Sequence, residues 1–203
     1  MRLLTPLAPP LCVACRAPSG NQPLCPECRR TLDRLPPTPA TLHGLEVWAP
    51  LRYEGAARAV VARLKFHGAT ALADHMAAAI AANAPRDLLG APLVPVPAAL
   101  ARRRRRGFDH AELLARALSR RTAVPVLRLL TCDGASRRQV GRPRADRLRD
   151  PPRFRALAGG RTRVLLVDDV VTTGATLAAC SRALTDAGWT STAAVAYART
   201  PVR

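Results

Sequence analysis

From residue 45 onward, apolar positions recur with two distinct periods. LEVWAPLRY reads as an extended stretch, and AARAVVARLKF then places Val60, Val61 and Leu64 on one helical face. A second helix carries Leu72, Met76 and Ile80 in steps of four and ends before Pro85. PLVPVP is short, apolar and bounded by proline, as expected of a buried strand running into a loop. HAELLARALSRR has an amphipathic stripe of Leu113, Leu114, Ala117 and Leu118, and VPVLRLLTC reads as a strand. The clearest strand is RVLLVDD; it feeds a Thr/Gly loop and a helix from residue 177 to about 187, closed by Gly188, a residue suited to a left-handed cap. TAAVAYA supplies a last strand. Strands alternating with helices predict an α/β fold with a mainly parallel sheet covered on both faces.

Residues 1–45 have no such period. They are rich in proline and hold four of the six cysteines. The predicted organisation is therefore a small module over 1–45 and a main domain over 46–203. Cys12-x2-Cys15 and Cys25-x2-Cys28, nine residues apart, have the spacing of a four-thiolate zinc site in which each pair grips the metal from one tight turn. Redox or disulfide chemistry is the alternative, and clustering in a reducing compartment favours the metal. Four thiolates leave no open position, so the role is structural. A segment with almost no core of its own needs such a staple. Cys180 falls on the apolar face with Leu177 and Leu184 and reads as a core thiol, while Cys132 lies at a strand end with nothing beside it that argues for reactivity. His43, His67, His75 and His110 show no ligand spacing and are expected on the surface or in the core.

No run of about 18 apolar residues exists, which excludes a membrane-spanning helix on length. In MRLLTPLAPPLC, Pro6, Pro9 and Pro10 break the start before it can serve as a signal core, so a cytoplasmic location is expected. The balance of 32 Lys+Arg against 14 Asp+Glu, a net +18, favours anionic partners: phosphates, nucleotides or nucleic acid. Codon bias is a competing source of the excess, since Lys65 is the only lysine. A compact ammonium at Lys65 suits a place beside a phosphate or a reacting sugar, where a planar guanidinium would not fit; chance survival of one codon is the other reading. The run at 102–106 is either a solvated basic surface or a phosphate and nucleic-acid contact. Aromatic residues make up only 3%, which disfavours extensive base stacking, so any affinity for DNA should be electrostatic and salt-sensitive. Residues 133–153 are polar, hold seven Arg and three Pro, and read as a long functional loop.

The strongest chemical signal is VLLVDDVVTTGAT, residues 164–176. Ligands of open α/β sheets bind beyond the carboxyl ends of the strands, and here Asp168 and Asp169 stand where a buried strand emerges. Adjacent side chains on a strand point to opposite faces, so the two acids cannot both be consumed by one salt bridge. Thr172, Thr173, Gly174, Ala175 and Thr176 are small, rich in hydroxyls and open a helix, so backbone N–H groups and the helix dipole can cradle a phosphate, with Gly174 letting the backbone come close. Acids for sugar hydroxyls beside a phosphate cradle describe a ribose 5-phosphate site; an ordinary strand-turn-helix with a capping Asp pair is the bland alternative. No Lys follows the glycine, which excludes a P-loop.

At these residues the chain resembles the ribose-phosphate signature of type I phosphoribosyltransferases, and the whole resembles the ComF family, competence-associated proteins with an N-terminal cysteine module. The matching pieces run in order along nearly the whole chain: the two CxxC pairs, RLKFHG at 63–68, VPVP with RRRGFDHAELLA at 94–115, RRQVGRPRADRLRD at 137–150, and the Asp-Asp loop. Asp109 and Asp150 depart from it, the first standing where that family usually has Asn and the second where it often does. The resemblance implies a type I phosphoribosyltransferase fold binding phosphoribosyl pyrophosphate. Asp168 and Asp169 would take the ribose hydroxyls as the catalytic pair. The 5-phosphate would go to Val171, Thr172, Thr173, Gly174, Ala175 and Thr176, and the pyrophosphate would lie near Arg106 and Gly107. Mg²⁺ would bridge pyrophosphate and ribose oxygens, and the loop at 133–153 would close over the site. Two functions follow from it: a pentosyltransferase linked to DNA uptake or natural competence, or a non-enzymatic adaptor that keeps the pocket and binds single-stranded DNA and DNA-uptake proteins.

Overall fold

The structure is a computed structural model that describes residues 10–85, 87–98, 107–133, 153–160, 162–189 and 191–201. Arg106, the arginine run at 102–106, the motif at 137–150 and nearly all of the long polar segment lie outside the described residues.

The main sheet is ordered β1-β2-β8-β7-β4, with β3 also pairing β8. Its strands are β1 Ala40–Leu42, β2 Leu45–Trp48, β3 Leu51–Arg52, β4 Leu93–Pro95, β7 Arg163–Val171 and β8 Ser191–Arg199. All pairs are parallel except the β1/β2 hairpin. The hairpin turns on two residues, His43 and Gly44, at φ 50° and 78°, both in the left-handed region that tight hairpins demand. LEVWAPLRY is not one strand but two: Pro50 has no N–H to give a ladder, so β2 stops and β3 resumes on β8 in the same register.

Helices α2 Gly55–His67, α3 Leu72–Asn83 and α4 His110–Thr122 cover one face, and α5 Ala175–Asp186 covers the other. A short α1, Pro26–Arg30, belongs to the cysteine segment. The first face buries Val60, Val61, Leu64, Met76, Ile80, Leu114 and Leu118 against Leu165, Val167, Val195 and Tyr197. The second buries Leu177, Cys180 and Leu184 against Val94, Leu166, Ala194 and Ala196. These are the periodic positions of the sequence, and Cys180 is a core thiol whose pKa is pushed up mainly by burial. Leu113 is only partly buried; Ala111 and Ala115 fill the α4 stripe instead. Cys12, Leu24 and Cys25 share the first core with Trp48 and Leu51, so the cysteine segment is seated on the main domain.

One predicted strand is corrected. In VPVLRLLTC only β5, Leu130–Asp133, is a strand, and it pairs antiparallel with β6, Arg153–Ala156, away from the main sheet. Earlier in the segment Val126 makes a lone bridge to Leu93, whose N–H donates to the Pro125 carbonyl and whose carbonyl accepts from Leu127. Pro125 has no N–H to extend that pairing, so the segment leaves the sheet and finds a second partner. Among the described residues no helix is long and apolar enough to cross a membrane.

Candidate functional site

Segments distant in sequence converge at the carboxyl ends of β4 and β7 around a cleft of about 150 Å³. β7 delivers Asp168 and Asp169, the turn after β4 delivers Pro97 and Ala98, and the head of α4 delivers Asp109 and His110. Lys65 enters from the last turns of α2, Thr176 from the first turn of α5, and the register pair Cys132 and Phe154 of the β5/β6 hairpin closes one side. A larger groove of about 450 Å³ lies elsewhere, beside Arg116, Arg120 and Arg128. Glu112 and Asp74 already pair with those arginines, so its charge is largely spent.

The two carboxyls of β7 differ in environment. Asp169 is 2% exposed, and its Oδ2 lies 2.8 Å from Lys65 Nζ and 3.7 Å from His110 Nε2. Among the described residues no hydrogen-bond donor is aligned on that oxygen, so the Lys65 contact acts as an ion pair. Asp168 is partly exposed, and its Oδ1 accepts the backbone N–H of Asp169 at 2.8 Å. Burial first, and the neighbouring Asp169 carboxylate second, push the Asp168 carboxyl well above the usual range, against the pull of the Asp169 N–H and the Lys65 charge. One acid is thus held by a cation, and the other stands partly exposed in the cleft.

The loop from Val171 to α5 is anchored on both sides. The Val171 carbonyl accepts the Thr200 N–H at 2.9 Å, and Thr200 Oγ1 donates to the Thr172 carbonyl at 3.1 Å. His43 Nε2 lies 3.1 Å from the Thr173 carbonyl, which requires the ring proton on Nε2. Thr172, Thr173, Ala175 and Thr176 are exposed, and Thr173 Oγ1 accepts the Ala175 N–H at 3.3 Å. The part played by Gly174 is broader than ligand approach. Its φ is +79°, and a Cβ there would stand 3.0 Å from Leu42 Cβ, so the hairpin β1/β2 also needs a glycine.

Asp109 makes a complete cap: Oδ1 accepts from Ala111 and Glu112, and Oδ2 accepts the Ala98 N–H at 2.9 Å. One carboxylate therefore joins the end of the β4 turn to the head of α4. Gly107 adopts φ +77° just before it, with no atom near an added Cβ, so the left-handed backbone alone calls for glycine. Lys65, Asp168, Asp169 and Thr176 line one cleft; Gly107 is not among its lining residues. His110, expected on the surface or in the core, is instead 12% exposed within this cleft, and Cys132 also lines it. The sequence signal for His110 was its place within RRRGFDHAELLA.

The Sγ atoms of Cys12, Cys15, Cys25 and Cys28 all lie within 4.8 Å of one another. A tetrahedral site with bonds of about 2.3 Å has sulfur–sulfur edges of about 3.8 Å, so the four can hold a zinc ion. Cys25 also caps α1, its Sγ accepting the Cys28 N–H. Burial works to raise the Cys12 pKa, but N–H donors of Cys15, Cys25 and Ala14 outweigh it and lower it to about 6. Cys28 is pushed up to about 12, first by its hydrogen bond with Cys15 and then by burial.

No family model matches the chain. Competence protein ComFC of Bacillus subtilis (strain 168) is 33% identical to it over 96 residues, which are 47% of this chain and 39% of that protein. Over that stretch the chain is similar to a ComF competence protein. The matched stretch spans about two fifths of the ComFC relative's length. Within the chain the cleft and the cysteine cluster are separate: the cluster packs beside Trp48 and Leu51 on the first core, and none of its residues lines the cleft.

Proposed function

We propose that this protein is a member of the ComF family, that it binds phosphoribosyl pyrophosphate in the cleft at the carboxyl ends of β4 and β7, and that it serves DNA uptake in natural competence. In this reading residues 46–203 form a type I phosphoribosyltransferase domain and residues 1–45 a zinc module. The observation that carries it is the meeting of Asp168, Asp169, Lys65 and Thr176 in one cleft beside a helix that opens on a glycine. Asp168, partly exposed in the cleft, and Asp169, held by Lys65, offer carboxyl oxygens to the ribose hydroxyls. The 5-phosphate sits on the N–H groups from Val171 to Thr176, and Gly107 and Arg106 are the candidates for the pyrophosphate.

Transfer at an anomeric carbon develops positive charge on the sugar, so the chain's task is to hold both phosphate ends and exclude water rather than to supply a nucleophile. Asp168, partly exposed in the cleft, would offer a hard oxygen donor of the kind that suits a hydrated Mg²⁺. That ion, when bound, neutralises the leaving pyrophosphate. The net charge of +18 favours a second reading, an adaptor that keeps the pocket and binds single-stranded DNA. Calorimetry with phosphoribosyl pyrophosphate and Mg²⁺ tests the site: binding is expected for the wild type and lost in Asp168→Asn/Asp169→Asn. Undiminished affinity in a folded double variant would overturn it. Pyrophosphate release with candidate acceptor bases, with and without single-stranded DNA, separates enzyme from adaptor.

A further inference from the structure

β3 and β8 end side by side, and their register sets Arg52 opposite Arg199. These are like charges on adjacent parallel strands, an arrangement that repels. They stand at the carboxyl edge of the sheet, where open α/β folds receive ligands.

The carboxylates nearby are unevenly shared. Arg52 Nε lies 2.6 Å from Asp33 Oδ2 and 3.8 Å from Glu54 Oε1. Both acids are well exposed, at 45% and 60%, so water screens their charge. Among the described residues no carboxylate pairs with Arg199, and its Nε is buried with no acceptor. A buried donor left without a partner is costly. Burial first and the Arg52 charge second lower the Arg199 pKa, so both effects oppose the charge where it stands.

The backbone cannot move away to relieve the repulsion. The Arg199 carbonyl accepts the Tyr53 N–H at 2.9 Å, and Thr200 is tied to Val171 and Thr172. Guanidiniums are suited to forked recognition of carboxylate or phosphate, and a shared anion would satisfy the buried Nε and turn repulsion into attraction.

We propose that Arg52 and Arg199 form an anion site at the carboxyl edge of β3 and β8 that takes the carboxylate or phosphate of a second ligand. It lies one strand across from the Thr172 loop, because Arg199 is also the register partner of Val171 on β7. The inference does not depend on sugar-phosphate binding at Asp168 and Asp169.

The test follows the melting temperature of the full chain at constant ionic strength, with inorganic phosphate and benzoate titrated separately. A site on the folded state raises the melting temperature with anion concentration. Arg199→Met is expected to raise the half-saturating concentration of the effective anion at least tenfold, and Arg199→Lys to fall between. In anion-free buffer Arg199→Met should melt at or above the wild type, because the repulsion is gone; a purely structural arginine would give the reverse. A response to phosphate alone points to a phosphorylated ligand, and a response to benzoate to a carboxylate. The Asp168→Asn/Asp169→Asn variant should keep the response, which separates this site from the cleft. Identical responses of Arg199→Met and the wild type to both anions, or no response in the wild type, would overturn the proposal.

Discussion

Lys65 Nζ stands 2.8 Å from Asp169 Oδ2, joining the end of α2 to the end of β7 through a carboxylate that is 2% exposed. Removing one member of a buried ion pair strands the other charge, at a cost of about 3 kcal/mol. Lys65→Met should lower stability by that order in urea denaturation. Lys65→Met with Asp169→Asn should recover part of the loss, because no charge is left uncompensated. Lys65→Arg should rescue incompletely, since a forked guanidinium does not fit the place of a point charge.

The raised pKa of Asp168 has a consequence for stability. Between the ordinary carboxyl value near 3.8 and its raised folded value, the folded state binds more protons than the unfolded state. Stability contributed by the protonated group is therefore present at low pH and lost as pH rises through that window. Asp168→Asn removes the titration, so the variant should be more stable than the wild type at pH 8, with the gap closing towards pH 4. Denaturation curves at the two pH values check this; a gap that widens on acidification would contradict it.

Gly174→Ala places a Cβ on a left-handed backbone and 3.0 Å from Leu42 Cβ. Such strain costs about 1–3 kcal/mol. The double variant with Leu42→Ala should relieve the contact but not the backbone part, so about half of the loss should remain in chemical denaturation.

The cysteine cluster should carry one zinc per chain. Zinc sites of this kind supply about 10 kcal/mol or more to the folding of their module. Chelation, or Cys12→Ser, should open residues 10–35 to protease while the sheet persists. Metal analysis of protein purified without added zinc, together with limited proteolysis, decides it. Absence of metal with that region still protected would refute the assignment.

Short-range rules made much of this protein legible before any coordinates. Val60, Val61 and Leu64, the steps from Leu72 to Ile80, the RVLLVDD strand and the CxxC pairs each follow from a period or spacing contained in a few neighbouring residues. What only the tertiary structure decided are the relations between segments far apart. His110 looked inert because its partner, Asp169, is in another element; Lys65, expected beside a phosphate or a reacting sugar, was paired with Asp169 only when α2 ended over β7. Asp109 became a clamp through the N–H of Ala98, and VPVLRLLTC lost most of its strand to a change of partner. Arg52 and Arg199 face each other solely because β3 resumes on β8 after Pro50. Local sequence sets which elements form, since periodicity and caps act within a few residues. Which side chains meet depends on packing and register across the sheet, where residues more than a hundred positions apart come into contact.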